Sequence, residues 1–155
     1  MYEDKQMLID ATIKMMVLTD EKRWQDLKNL FANPVVIDYT SLTGGQPVTL
    51  DPSVIITEWK KSLEYLTTHH MISNHLIEIN GQQATVKAYF HATHCLHNPY
   101  GDDKWTLGGK YDFTFLKDGN SWKISKLIMT AIWGTGNQNI LSLASSRQER
   151  TKSSE

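Results

Sequence analysis

The sequence predicts one α+β domain in which N-terminal helices pack on one face of a mainly antiparallel sheet. Two observations predict it. Apolar residues recur at helical spacing in the first part of the chain, and four strand-like segments separated by turn residues follow from His69 onward. A chain of 155 residues is most simply a single domain, long enough to bury about 70% of its unfolded surface.

Helices and one strand account for the N-terminal part. Residues 7–19 carry an apolar stripe with the 3.6-residue helical period, formed by Ile9, Ile13 and Met16. Residues 23–31 form a second helical piece, and β-branched and aromatic residues at 35–39 predict a short strand. A third helix opens at Asp51-Pro52 and runs to about residue 66, because Asp is favoured at the N-cap and Pro at the first helical position.

Four strands follow and form a meander. They are predicted at residues 69–79, 83–96, 105–117 and 121–133. The turns between them are marked by Asn80-Gly81, by residues 98–102 and by residues 118–120. Beyond Gly136 the sequence becomes polar. We therefore expect residues 1–136 to form the domain and residues 137–155 to form a frayed tail.

All six histidines lie between His69 and His97. Histidine exchanges protons near neutral pH, so this cluster is the first candidate for acid–base chemistry. Successive side chains of a strand face opposite ways. In 83–96 the even positions are apolar except for His94, whereas His91 and His97 face the other way. His94 is thus either a pocket histidine or a hydrogen-bonded core histidine.

The strand at 69–79 does not show which of its histidines points inward. Each of its faces carries both apolar and polar residues, so alternation does not decide between His70 and His75. A bulge in this strand would also reverse the count.

Asp20 and Tyr39 are the candidate partners of the histidines. Asp20 lies four residues after Met16 and continues the helical stripe, so its carboxylate could orient an imidazole. Alternatively, Asp20 caps the helix that contains Trp24. Tyr39 ends the first strand, and its hydroxyl is a neutral donor suited to holding a carbonyl oxygen or a water. An aromatic residue at a strand end can equally be core packing.

The remaining motifs predict neither metal nor phosphate chemistry. Cys95 and His97 share a strand face, but His94 points the opposite way, and the sequence has no second cysteine and no His-Glu-x-x-His helix. The pairs Gly44-Gly45 and Gly108-Gly109 do not match a phosphate-binding glycine motif. We expect no metal.

Charge and cysteine content limit the partners. The net charge of −1 and the isoelectric point near 6.6 give no electrostatic case for nucleic acid or a membrane surface. The single cysteine excludes an internal disulfide framework and suits a reducing cytoplasm. The sequence shows no signal peptide, and no run approaches the roughly 18 apolar residues of a membrane span. We expect a cytoplasmic domain.

Several short motifs occur in an order that resembles the SnoaL-like, or nuclear-transport-factor-2-like, superfamily. The resemblance extends over roughly residues 8–135, and the nearest pattern is that of the scytalone dehydratases. The motifs are the helix ending at Asp20, Lys22-Arg23-Trp24, Val36-Ile37-Asp38-Tyr39, His70, His94, Ser121-Trp122-Lys123-Ile124 and Ile132-Trp133-Gly134.

The resemblance implies a cone: a strongly curved mixed sheet wrapped around helices, with a deep apolar pocket. It implies a homodimer or homotrimer and no metal or organic cofactor. His70 and His94 match the acid–base histidines of the dehydratases. Asp20 matches their supporting carboxylate, and Tyr39 matches a tyrosine that holds a water. Three positions depart from the pattern: a second tyrosine, a serine and an asparagine fall here on Thr19, Gly109 and Tyr111.

The resemblance and these residues together predict a cofactor-independent dehydratase for a small apolar substrate, a cyclic or aromatic, polyketide-like or steroid-like molecule. His94, held by Asp20, would exchange a proton, and His70 would be the second acid–base group. Tyr39 would bind the carbonyl oxygen directly or through water. The residues predicted to bind substrate are Trp24, Phe90, Trp105, Tyr111 and Trp133.

Two alternatives stay open. An isomerase or cyclase could use the same pocket, although the inward face of 83–96 carries no carboxylate of the kind a steroid isomerase uses as its base. A non-catalytic ligand-binding or oligomer-forming module would bind apolar ligands without an Asp–His hydrogen bond.

Overall fold

Eleven helices and strands make up the computed structural model, which describes residues 1–154 apart from the side chains of Gln148 and Thr151. The helices are α1 (Tyr2–Asp20), α2 (Trp24–Lys28), α3 (Thr40–Thr43), α4 (Pro52–Leu63) and α5 (Ile140–Ser153). The strands are β1 (Phe31–Asp38), β2 (Val48–Leu50), β3 (Thr67–Asn80), β4 (Gln83–Cys95), β5 (Lys104–Asp118) and β6 (Ser121–Gly136).

One six-stranded sheet has the order β2-β1-β6-β5-β4-β3. Strands β3 to β6 form the predicted antiparallel meander. Strand β1 pairs with β6 in parallel, and β2 lies antiparallel to β1 at the edge. Bulges in β3–β4 and in β5–β6 add curvature, because an extra residue bends and twists its strand. The predicted α+β class is confirmed: a curved, open sheet covered by helices on its inner face.

Helix α1 buries Met16 of the predicted stripe but not Ile13. Ile13 is 41% exposed, whereas Leu8, Thr12 and Met15 are almost completely buried. The prediction for Ile13 is wrong because apolar residues occur all around this helix, so that their spacing does not single out one face. Asp20 still ends the helix beside the buried side, which brings its carboxylate to the start of β3.

The expected frayed tail is instead a helix from Ile140 to Ser153, which contacts α4. Its buried residues, Ile140 and Ala144, are four positions apart on one helical face. Sequence reasoning missed this helix because its few apolar residues all lie in the first turns, before a long polar stretch. The correction matters for function, since Leu141 reaches the internal cavity.

Within residues 1–154, no helix is both long and apolar enough to cross a membrane. The cytoplasmic location stays a prediction.

Candidate active site

A cavity of about 140 Å³ lies between α1, α4, α5 and the inner face of the sheet. Its wall contains six residues that the sequence placed in the site. They are Tyr39, His70, Phe90, His94, Trp105 and Tyr111. The others, from the helices and inner strands, are Met15, Met16, Thr19, Leu42, Trp59, Ser62, Leu63, Ala92, Leu107, Met129 and Leu141. Neither a lysine nor an arginine lines this cavity, so it suits an uncharged, largely apolar ligand.

A bulge in β3 explains why alternation left two histidines undecided. The register with β4 shifts between Ser73 and Leu76, and Asn74 adopts a left-handed backbone conformation with φ of 60°. Even positions face inward before the bulge and odd positions after it. His70 and His75 therefore both point inward, but at different places. His75 lies 2.8 Å from the Thr12 hydroxyl on α1, outside the cavity lining.

Asp20 lies behind the cavity wall, where it contacts the lining residue His70. His70 Nδ1 lies 2.6 Å from Asp20 Oδ1, and the His70 backbone N–H donates to Asp20 Oδ2 at 3.0 Å. The Thr68 hydroxyl donates to Oδ1 at 2.9 Å. Burial by itself raises the pKa of the Asp20 carboxyl, but these hydrogen bonds outweigh it and hold the pKa below its usual range. The carboxylate therefore fixes Nδ1 as a donor and leaves Nε2 as the acid–base nitrogen of His70.

His94 is buried as predicted, but it is not the partner of Asp20. Its Nδ1 lies 3.2 Å from the Trp105 carbonyl, and its ring stacks on the Trp105 indole with centroids 4.8 Å apart. Asp20 pairs with His70 because the end of α1 adjoins β3, whereas His94 lies one strand further away on β4. The predicted Asp20–His94 pairing is therefore wrong, and the dyad is Asp20–His70.

The environment of His94 fixes its protonation. A carbonyl oxygen only accepts hydrogen bonds, so Nδ1 carries the hydrogen and the neutral ring has an unprotonated Nε2. Burial, and secondly the proximity of His70, lower the pKa of His94 to about 4. The two rings meet edge to face with centroids 5.7 Å apart. At pH 7, His94 is thus a neutral hydrogen-bond acceptor rather than a proton donor.

Two tyrosine hydroxyls belong to the same cavity. Burial and the neighbouring Tyr111 raise the pKa of Tyr39 well above its usual value, and burial raises the pKa of Tyr111 as well. Both groups therefore stay protonated. Their side chains hydrogen-bond to each other, which engages one of the two hydroxyl hydrogens and leaves the other to donate to a ligand oxygen. Tyr111 supplies the second hydroxyl that the resemblance left missing at Thr19, whose own hydroxyl donates to the Met15 carbonyl at 2.6 Å.

The structure does not bring Trp24 or Trp133 to the cavity. The Trp24 indole donates to Glu64 Oε2 at 2.8 Å. Trp133 lies on the outer sheet face, with its ring centroid 5.3 Å from that of His91. The cause is the bulge of β6 opposite Gly108 and Gly109, which turns Trp133 outward. These two substrate-binding predictions are corrected.

Among the side chains that the structure describes, no three His, Cys, Asp or Glu residues converge as metal ligands would. The expectation that the protein needs no cofactor stays a prediction.

A curved, open sheet that is covered by helices on its inner face and encloses a mainly apolar cavity is the architecture of the cone-shaped α+β pocket proteins. The family model described as a SnoaL-like domain matches residues 2–128, and the chain belongs to this family. The sequence matches none of the curated proteins.

Solved structures share the fold. The Kfla4162 protein from Kribbella flavida superimposes with a TM-score of 0.86 at 27% identity, over 91% of this chain and 98% of that one. A candidate scytalone dehydratase from Novosphingobium aromaticivorans gives 0.73 at 17% identity, over 88% and 89% of the two chains. A type 2 hexachlorocyclohexane dehydrochlorinase, LinA, gives 0.72 at 11% identity, over 88% and 90%.

Proposed function

We propose that the protein is a cofactor-independent acid–base lyase that removes water from a small cyclic molecule. The observation that carries this proposal is the 2.6 Å contact between His70 Nδ1 and Asp20 Oδ1 at the wall of an apolar cavity. A carboxylate in this position fixes the tautomer of an imidazole and stabilises its protonated form, which is what a general base requires.

The geometry supports a β-elimination in which His70 serves twice. His70 Nε2 removes the proton from the carbon next to a carbonyl, while the free hydrogen of the Tyr39–Tyr111 pair is donated to the carbonyl oxygen and stabilises the enolate. The electrons of the broken C–H bond form the new double bond, and the bond to the hydroxyl on the next carbon breaks. His70 returns its proton to that oxygen, which leaves as water. Neutral His94 accepts a hydrogen bond from the substrate hydroxyl.

The volume of the cavity limits the size of the substrate. A volume of about 140 Å³ resembles that of an engineered protein cavity of roughly 150 Å³ that binds benzene. The cavity therefore holds one six-membered ring, and a steroid nucleus would extend well outside it. Among the predicted substrate types, we propose a single carbonyl-bearing ring.

The structural neighbours give limited support. A dehydratase and a dehydrochlorinase both bear names that denote eliminations, in which a proton and a neighbouring group leave together. Because these chains share only 17% and 11% identity with this one, the likeness itself shows the fold alone.

The test uses 3-hydroxycyclohexanone, a single ring with a carbonyl and a hydroxyl two carbons apart. We expect the protein to convert it to cyclohexenone, detected by the ultraviolet absorbance of the conjugated enone and by a mass lower by one water. An isomerase would leave the mass unchanged. A ligand-binding module would bind the compound without accelerating its dehydration over buffer, and either result would contradict the proposal.

We also propose that the protein is a homodimer or homotrimer assembled through the outer sheet face. Met71, Tyr89 and Trp133 are each about half exposed on this face, and exposed apolar clusters of this kind mark interfaces. We expect light scattering to give a mass of two or three chains. Trp133→Glu is expected to dissociate the assembly, whereas Tyr100→Glu, in an exposed loop, is not. A monomeric wild-type protein would refute this.

A further inference from the structure

Trp105 holds a buried donor that no group in the described part of the chain satisfies. Among the side chains that the structure describes, its indole Nε1 is the one buried nitrogen or oxygen atom without a hydrogen-bond partner. The side chain is only 3% exposed and lines the cavity. Buried polar groups almost always have partners, so an unpartnered donor in a side chain that lines a cavity indicates a place where a ligand can bind.

The indole is held in place by its other contacts. The Trp105 carbonyl accepts the hydrogen bond from His94 Nδ1 at 3.2 Å, and the two rings stack with an interplanar angle of 28°. Turning the indole toward a different partner would break this stacking. The direction of the N–H bond is therefore set by the same contacts that orient His94.

Gly134 lies beside this donor. It pairs with Leu107 across β5 and β6. A methyl group added at Gly134 would lie 3.5 Å from Trp105 Nε1 and 3.8 Å from Leu107 Cδ1, which is ordinary van der Waals contact. Gly134 is exposed and is not one of the residues that line the cavity. The position that a side chain of residue 134 would occupy is therefore open, and it lies in van der Waals contact with the indole nitrogen.

The strand register orders the polar groups along the cavity. His70 pairs with Ala92, and Ala92 pairs with Leu107, so His70 lies level with Leu107 of β5. On that strand Trp105 is two residues to one side and Tyr111 four residues to the other. His70 therefore lies between the tyrosine hydroxyls and the indole donor. The order of groups in a β-hydroxy ketone is the same, because the α-carbon lies between the carbonyl and the carbon that bears the leaving hydroxyl.

We infer that Trp105 Nε1–H donates a hydrogen bond to the leaving hydroxyl of the substrate, in a subsite formed with Leu107 and Gly134. The inference rests on the proposed function for the order of groups in the substrate. A hydroxyl both donates and accepts, so it can give its hydrogen to His94 Nε2 and accept from the indole. The indole donor stabilises the negative charge that grows on this oxygen as its bond to carbon breaks.

Binding is tested with two matched compounds that cannot undergo the elimination. Cyclohexane-1,3-diol carries a second oxygen, and 3-methylcyclohexanol replaces that oxygen with a methyl group. In a ¹⁵N-labelled protein, Trp105→Phe identifies the Trp105 indole signal among the five tryptophans. We expect the diol to move the Trp105 indole proton downfield and the methyl compound not to do so. The signals of Trp24 and Trp122, whose indoles donate to Glu64 and Asp4, serve as internal controls.

Two variants test whether the indole N–H contributes to diol binding. Trp105→Phe removes the N–H but keeps an aromatic ring against His94, and Gly134→Ala places a methyl group 3.5 Å from Trp105 Nε1 without a clash. Each is expected to weaken diol binding by about tenfold, the worth of one hydrogen bond, and to leave binding of 3-methylcyclohexanol within about twofold. Their melting temperatures establish that the fold is retained.

The outcomes separate this inference from the proposed function. If the diol shifts the Trp105 indole proton signal but the protein does not dehydrate 3-hydroxycyclohexanone, the subsite is supported and the proposed lyase function is contradicted. The absence of such a shift, or an equal shift with both compounds, would overturn the subsite, whatever the protein does to the ketone.

Discussion

His70→Gln and Asp20→Asn are each expected to lower the rate of 3-hydroxycyclohexanone dehydration by about 10²–10⁴-fold, the usual contribution of a positioned acid–base group. Glutamine at position 70 has no basic nitrogen. Asparagine at position 20 removes the charge that stabilises the protonated imidazole, although it keeps nearly the same shape. Enone absorbance under saturating ketone gives the rates, and circular dichroism shows whether the variants fold.

The double variant distinguishes a dyad from two independent groups. Because Asp20 contacts the cavity through His70, we expect Asp20→Asn to cost nothing further once His70 is glutamine. Thr68→Val is the matched control: it removes one hydrogen bond to the carboxylate but leaves the Asp20–His70 contact, so its loss should stay below about tenfold. Multiplicative losses in the double variant would contradict the dyad.

Burial of His94 is expected to make the protein lose stability on mild acidification. Its pKa of about 4 in the folded protein lies below the ordinary value of 6.5, so the folded state binds fewer protons than the unfolded state between these pH values. The free energy of unfolding therefore falls as the pH drops from 6.5 to 4, by about 3 kcal/mol from this residue, at roughly 1.4 kcal/mol per pKa unit. Urea denaturation at several pH values measures it.

Two comparisons isolate the His94 contribution. His94→Gln should lack the decline between pH 6.5 and 4, whereas His69→Gln, at an exposed position of β3, should retain it. Asp20 affects the free energy of unfolding in a lower pH range. Its lowered pKa supplies stability above pH 3.8 that disappears only as the pH falls further. An unchanged decline in His94→Gln would mean that other groups are responsible.

Local patterns predicted the parts of the fold that local signals control. The meander from β3 to β6 follows from turn residues such as Asn80-Gly81, and Asp51 caps α4 as expected, accepting from the Ser53 backbone N–H at 2.8 Å. The parallel pairing of β1 with β6 joins residues far apart in sequence and leaves no turn signal to find. Helix α5 was missed because its packing depends on contacts with α4.

β-Bulges explain most of the side-chain orientations at the site that the sequence did not predict. Alternation placed His94 correctly because β4 runs without interruption, with its even positions all buried. In β3 and β6, one inserted residue changes which alternate positions face the interior. As a result, His70 and His75 both point inward in β3, and Trp133 points outward in β6. The partner of Asp20 could not be read from the sequence, since it depends on which strand adjoins the end of α1.

The most direct test of the Asp20–His70 base is the exchange of α-protons of cyclohexanone in D₂O, followed by ¹H NMR. This ketone has no leaving hydroxyl, so exchange reports proton removal alone. We expect the wild-type protein to accelerate exchange over buffer and His70→Gln to lose the acceleration by about 10²–10⁴-fold. Exchange no faster than in buffer, or equally fast in His70→Gln, would contradict the assignment of His70 as the base.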